Sequence, residues 1–396
     1  PTNQKNLPPR AQAKSDKNIL NLKGSNLGGS QPNPLKFSRN KSLPKIDKRN
    51  ASIVDINGNS YIIKESLTPK NINLSSIDNE MKYEMSNDKN DYYKQFCASS
   101  YPGRHQNGQT KKNQDNYLIK KSISGIKGLN LFGVLDGHGP DGHHVSTFAR
   151  DYLIQHTIKF VDILTKSYHI NTLEAIYNFL KKDNFLVLTK LYQNADQEIM
   201  KQAFDTKFSG TTCNIIFQFG KHLVCASVGD SRGILIKSND KNKMSNSRVY
   251  QLSNDHKPNL PEELKRIESV GGAVRKLTDN NGKELGGPLR VWKGNERYPG
   301  LAMSRSLGDF VAKTCGVIPT PEFIEYYIDE NTRYLVVCSD GIWEYINNEE
   351  AMSIGNQYFT KNYIKGHCKA LLKTAVQNWE SHDIIRDDIT VVLVYL

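Results

Sequence analysis

Four aspartates sit where apolar runs begin or end. Leu131-Phe132-Gly133-Val134-Leu135 runs into Asp136-Gly137-His138-Gly139, and Tyr334-Leu335-Val336-Val337-Cys338-Ser339 runs into Asp340-Gly341. Asp115 precedes Asn116-Tyr117-Leu118-Ile119, and Asp387 precedes Asp388-Ile389-Thr390-Val391-Val392. In antiparallel sheets the end of one strand lies beside the beginning of its neighbour. All four carboxylates can therefore collect on one edge of a fold, although Asp115 and Asp387 are 272 positions apart (387 − 115). Packed together, they repel unless cations lie between them. Carboxylates with a backbone carbonyl and water suit hard octahedral ions, which implies Mn²⁺ or Mg²⁺ rather than Zn²⁺. Glycine after Asp136 lets the backbone approach closely enough for the Gly137 carbonyl to join the set. Two such ions ~3.5–4 Å apart could bridge a water and make it a nucleophile near neutral pH. His138, two residues beyond Asp136, is placed to protonate a leaving alkoxide. Each Asp-Gly alone reads as a turn and a lone histidine as structural; only their joint occurrence points to a site.

The elements that must position these groups follow from hydrophobic periodicity. Strand-like runs fall at 115–120, 130–135, 213–219, 222–228, 232–237, 248–252, 324–328, 334–338 and 389–395, and helical periodicity at about 142–164, 172–204, 261–270, 349–359 and 363–380. The second helix begins with a candidate capping box, Asn171 with Glu174. Strands come in blocks rather than alternating with helices, which disfavours a parallel doubly wound sheet. The expected fold is α+β: a four-layer α-β-β-α sandwich of two antiparallel sheets flanked by helix pairs. Residues 255–301 are Gly- and Lys-rich with weak periodicity and read mostly as surface loop, a flap or lid at about 255–300. Gly229-Asp230-Ser231-Arg232 reads as a β-turn, Leu301 to Asp309 as packing beneath the site, and Trp343 as core.

Composition sets the bounds. The 396 residues are 37% hydrophobic and 24% charged, with a formal net charge of +12, which leaves room for two or three domains or one large one with tails. The charge is lopsided. Residues 1–50 hold 11 Lys/Arg against Asp16 and Asp47, a net of +9, whereas the remaining 346 hold 42 basic and 39 acidic groups, a net of +3. With few apolar residues, the first 50 are expected to be a disordered basic tail. Nucleic acid is not expected as a partner, because the tail lacks aromatic interleaving and a compact basic block. Residues 51–91 read as an extension with a hairpin around Asn57-Gly58, and 92–396 as the catalytic domain. No apolar run reaches the ~18 residues of a membrane span, and no secretory signal is visible. Cys97, Cys213, Cys225, Cys315, Cys338 and Cys368 are scattered without a CxxC pair, so a disulfide scaffold and a Cys-rich zinc site are disfavoured. A cytoplasmic or nuclear monomer is expected.

In order along about residues 92–396, the chain resembles the metal-dependent Ser/Thr protein phosphatases of type 2C. The segments that carry the resemblance are Lys112-Asn113-Gln114-Asp115, Asp136-Gly137-His138-Gly139 continuing to Gly142-His143, Ser209-Gly210-Thr211-Thr212, and Val228-Gly229-Asp230-Ser231-Arg232. Further along come Asp255-His256-Lys257-Pro258, Leu301-Ala302-Met303-Ser304-Arg305-Ser306-Leu307-Gly308-Asp309, Ser339-Asp340-Gly341-Ile342-Trp343, and Arg386-Asp387-Asp388-Ile389-Thr390. The resemblance implies hydrolysis of phosphoserine and phosphothreonine in protein substrates by metal-activated water. It implies Asp136 as the ligand shared by two metals with the Gly137 carbonyl, Asp340 and Asp387 completing the pair, Asp115 holding a metal or its water, and His138 as general acid. A third, weaker metal site would map to Asp205 and Glu344. Gln114 stands where several relatives carry a metal-binding Glu. The arginine that grips phosphate in some relatives has no clean match, so Lys111 or Lys112 would supply that charge as a point cation rather than a fork.

Rival chemistries fit poorly. A cysteine phosphatase needs Cys-x5-Arg, but Cys97 to Arg104 and Cys225 to Arg232 each enclose six residues. Lys293-Gly294-Asn295-Glu296 lacks the histidine of the His-ligated metallophosphatases, and no Walker loop or GxGxxG is present. The alternative from another class is a catalytically inactive phosphatase fold acting as a regulatory or binding protein; loss of a core aspartate or of the histidine would favour it.

Overall fold

The structure, a computed structural model, describes residues 81–86, 88, 91–382 and 385–396, together with the backbone of two short strands, β1 (Ser52–Val54) and β2 (Ser60–Ile62). The chain divides into two units, 1–70 and 71–396. In the first, β1 and β2 pair antiparallel, Ser52 opposite Ile62. The Asn57-Gly58 turn expected between them and the basic tail lie outside the described residues.

In the second unit, two antiparallel sheets carry the fold. One has five strands in the order β17 (Glu322–Tyr327), β10 (His222–Val228), β9 (Cys213–Phe219), β6 (Leu129–Leu135), β5 (Asn116–Lys120). The other has six, in the order β12 (Arg248–Gln251), β11 (Arg232–Lys237), β18 (Thr332–Cys338), β19 (Ile389–Tyr395), β4 (Gln95–Tyr101), β3 (Lys82–Met85). Alternation along the strands separates three cores. Phe132 and Val134 of β6 meet Leu335 and Val337 of β18 and Val392 and Val394 of β19 between the sheets. Leu129, Leu131 and Leu135 face helices α1 (Gly142–Ser167), α2 (Leu173–Lys182) and α3 (Leu186–Met200). Tyr334, Val336, Ile389, Val391 and Leu393 face α7 (Asn348–Phe359) and α8 (Ile364–His382). Strands buried on both faces explain the near-continuous apolar runs, and the layers are helix, sheet, sheet, helix, as expected.

Three differences from the sequence reading have local causes. The long helix expected over 172–204 breaks at Asn184 and Phe185, both left-handed (φ 49° and 58°); the break turns Phe185 inward against Phe323, ring centroids 5.2 Å apart. Its cap is Thr172, which accepts from the Ala175 amide, not Asn171. The six-stranded sheet takes its edge strand from residues 82–85, ahead of the boundary read at 92, and its Gln- and Ser-bearing β4 escaped the periodicity.

The stretch read mostly as loop contains the expected helix, α4 (Pro261–Ser269), and then a three-stranded antiparallel sheet, β13 (Gly272–Arg275), β14 (Arg290–Lys293) and β15 (Pro299–Leu301). Its strands contribute Val274, Val291 and Leu301 to a small core with Ile267, Ala312, Cys315 and Val317. So few apolar positions leave almost no periodic signal.

Candidate functional site

Strand register gathers the acidic groups. Asn116 pairs with Leu135 across β5 and β6, so Asp115 and Asp136 emerge at the same end. Cys338 pairs with Val391 across β18 and β19, which puts Asp340 near the start of β19. A further small sheet locks the geometry: β7 (Gly137–His138), β8 (Gly210–Thr211) and β16 (Leu307–Gly308) lie side by side. Asp136 is tied into it twice, its amide donating 2.9 Å to Thr212 Oγ1 and its carbonyl accepting 2.9 Å from the Thr212 amide. A Cβ at position 137 would collide with the Gly142 and Gln114 carbonyls, so glycine is required where the backbone approaches most closely.

The carboxylates sit in a shared, poorly solvated field. Burial, then Asp115, Asp340, Asp387 and Asp230, pushes Asp136 well above the usual carboxylate range. Asp340 is pushed up well above it too, by burial, then Asp230 and Asp387. Asp115 is pushed up to about 7 by burial, with Asp388 and then Asp387 adding. The Ser339 and Thr390 hydroxyls lie beside Asp115, yet neither of its oxygens completes a hydrogen bond, and Asp340 Oδ1 and Asp230 Oδ1 are likewise buried without a donor. Buried carboxylate oxygens without donors are costly. A hard divalent cation meets this donor set where protein groups do not.

Asp387 faces the same field but turns Oδ1 to Lys111 Nζ at 2.7 Å. Burial works against the charge on Lys111, but Asp387, Asp388 and Asp136 together raise its pKa. Lys112 points elsewhere, to His143 Nε2 at 2.5 Å, and is exposed. His138 Nε2 lies 2.7 Å from Asp309 Oδ2, while its Nδ1 is buried without a partner. Burial disfavours the charged ring, but the Asp309 carboxylate outweighs it and raises the His138 pKa.

Two expected site residues are not brought in. Asp205 accepts from Ser209 Oγ at 2.7 Å and from the Phe208 amide at 3.1 Å, so its carboxylate closes its own loop. Glu344 is exposed at the end of the short helix α6 (Asp340–Trp343). Among the described residues, Asp141, His143 and His144 form a separate group whose ligand atoms all lie within 4.8 Å of one another.

This arrangement of fold and site has known counterparts. The model of the protein phosphatase 2C family matches residues 99–384. The chain belongs to the protein phosphatase 2C family. "Probable protein phosphatase 2C 73" of Arabidopsis thaliana is 32% identical over 297 residues, covering 73% of this chain and 77% of the relative. "Probable protein phosphatase 2C 35" of the same organism is 28% identical, covering 76% of this chain and 83% of its own length. The crystal structure of serine-threonine phosphatase 2C from Toxoplasma gondii shares the fold at a TM-score of 0.62 and 21% identity, covering 76% of this chain and 94% of that one. The protein phosphatase 2C family is metal-dependent, in keeping with the acidic cluster.

Three aspartates of this family member escaped the sequence reading. Asp230, read as a turn, is buried and faces Asp136 and Asp340, with Lys257 Nζ bonded to its Oδ2. Asp388 accepts from the Gly103 and Gln114 amides and so holds the loop that presents Asp115. Asp309 reaches His138 from the segment read as packing beneath the site. Asp230 and Asp309 each follow a glycine with positive φ, Gly229 at 96° and Gly308 at 83°, and that Gly-Asp pairing was the available signal. Trp343 is core as expected, its Nε1 donating to the Cys338 carbonyl at 2.9 Å.

Proposed function

We propose that the protein is a metal-dependent serine/threonine phosphatase that hydrolyses phosphoserine and phosphothreonine in protein substrates at the Asp136 cluster. The observation that carries this reading is that Asp115, Asp230 and Asp340 each bury at least one carboxylate oxygen without a donor, beside a histidine with one free ring nitrogen. Asp136, the Gly137 carbonyl, Asp340 and Asp387 would hold two Mn²⁺ or Mg²⁺ ions, with Asp115 holding an ion or its water. When bound, these ions supply the nucleophilic water and neutralise the phosphoryl oxygens.

The remaining work falls to side chains of this chain. Asp387, which pairs with Lys111 at 2.7 Å, would hold an ion in place of that lysine, and Lys111 would hold a phosphate oxygen as a point charge. His138 gives a proton to the seryl or threonyl oxygen as its bond to phosphorus breaks, which removes the cost of expelling an alkoxide. Asp205 and Glu344 have no part in this assignment. The inactive-fold alternative gains nothing from the sequence, which retains each of these aspartates and the histidine.

Turnover of a phosphoserine peptide tests the reading. Activity should vanish in EDTA and return with Mn²⁺ or Mg²⁺. Turnover that survives exhaustive chelation, or none at all with either ion, rejects it.

A further inference from the structure

Asp309 is held in an unfavourable backbone conformation where it opens the short helix Phe310–Lys313. It is buried and left-handed, φ 53° and ψ 47°, directly after Gly308 at φ 83°. Such residues persist only where their surroundings over-determine them, and they cluster at working sites. The surroundings here do so. The Asp309 amide donates 2.9 Å to the Ser209 carbonyl, and the Gly308 amide donates 2.8 Å to Asp196 Oδ1 on α3. Lys313 Nζ bridges Asp196 at 3.2 Å and the Ser306 carbonyl at 2.7 Å. A Cβ on Gly210 would collide with Asp309 Oδ2 and crowd His138 Nε2. Asp196 on α3, the Ser209-Gly210 segment and Lys313 thus leave one slot, and the Asp309 carboxylate fills it to meet the His138 ring.

We propose that Asp309 is the positioning residue for His138: it accepts from Nε2–H, fixes that tautomer, and leaves Nδ1 as the nitrogen that serves the leaving oxygen. The inference rests on the acid role given to His138 above. In the reaction, water oxygen bonds to phosphorus while the P–O bond to serine breaks. The proton on Nδ1 passes to the seryl oxygen, which leaves a neutral ring already in its Nε2–H form. A solvent proton then restores Nδ1–H. Without Asp309 the ring is free to rotate, so the acidic N–H often points away from the leaving oxygen, and the protonated ring loses its carboxylate partner.

Two readouts test this. Side-chain ¹H–¹⁵N spectra of the metal-free protein should show neutral His138 as the Nε2–H tautomer in the wild type, and a mixture in Asp309→Asn. With Mn²⁺ present, Asp309→Ala should lose on the order of 100-fold in kcat on a phosphoserine peptide, a full general-acid contribution. Asp309→Asn should lose roughly 10-fold or more, because a neutral amide holds the protonated ring less firmly than a carboxylate does. Both variants should stay within about 5-fold of wild type on p-nitrophenyl phosphate, whose leaving group needs little protonation, with KM little changed. If Asp309→Ala fails to fold, Asp309→Asn decides. His138→Ala run alongside separates the two claims. Equal losses on both substrates for His138→Ala reject the acid role itself. Selective loss for His138→Ala with none for the Asp309 variants, or a wild-type Nδ1–H tautomer, overturns the inference alone.

Discussion

Two buried carboxylates in this molecule have opposite surroundings. Glu263, on α4, accepts from Arg266 at 2.7 Å and from Arg305 at 2.6 Å, and Ser304 completes its shell. Burial alone would raise its pKa, but Arg266, Arg305 and Ser304 overcome it and pull the group down to about 2. Asp115 is buried to a similar degree and meets further carboxylates, so it is pushed up to about 7. The first site carries its countercharge in the chain. The second, beyond Lys111 on Asp387 and Lys257 on Asp230, leaves its countercharge to solution, and that difference separates a structural acid from a candidate metal ligand better than burial or acidity does.

Removing one acid from each site should have opposite consequences. Asp136→Asn should abolish both Mn²⁺ binding, followed by calorimetry, and phosphopeptide turnover. In EDTA its stability to urea should stay level or rise, because a crowded carboxyl that burial already penalises has been removed. Added Mn²⁺ should raise the Tm of the wild type and leave that of Asp136→Asn unmoved. Glu263→Gln should do the reverse, losing about 2–3 kcal/mol because two partly buried guanidinium groups are left short of a charged partner. A stable Glu263→Gln, or an Asp136→Asn that unfolds in EDTA, would break the contrast.

The same contrast has a pH signature. Asp115 near 7, with Asp136 and Asp340 also raised, keeps protons on the metal-free cluster below neutrality. Metal binding at pH 6 must displace those protons, so apparent affinity should climb as pH rises towards and through 7. Calorimetry in buffers of different ionisation heat measures the protons released. Glu263 gives the opposite sign for stability. Its folded value lies below its usual 4.5, so its contribution is complete above about 4.5 and is lost as pH falls towards 2. A metal affinity independent of pH between 5 and 7 would contradict the account of the cluster.

Much of this could be read from sequence because the strands are buried on both faces. Val391 and Val392 of β19 serve different cores, so the run stays apolar and its ends are sharp. Those sharp ends exposed Asp115, Asp136 and Asp340. Asp387 was legible as a strand-start acid, but its pairing with Lys111 was not, since that depends on two loops meeting. Asp309 and Asp230 were hidden for the same reason: each lies in a turn whose neighbours come from distant segments. The β13–β15 sheet was missed on other grounds, because its strands bring little more than Val274, Val291 and Leu301 to their own core.

Lys111 offers the smallest effect and the finest test of the comparison. Its partner Asp387 is about half exposed, 46% against 23% for the lysine side chain, so solvent screens the pair and its worth to stability is at most about 1 kcal/mol. Lys111→Ala should therefore leave the urea midpoint nearly unchanged. In the metal-free cluster, however, Lys111 is the built-in cation on Asp387, competing with an incoming ion. Its removal should tighten Mn²⁺ binding several-fold, since no ion pair must be broken first. With metal bound, the freed lysine is assigned to phosphate, so the same variant should raise KM for a phosphopeptide while kcat changes less. Tighter metal with a higher KM needs both roles. Weaker metal binding would instead make Lys111 a support for Asp387, and the cluster would then carry part of its own countercharge, as Glu263 does.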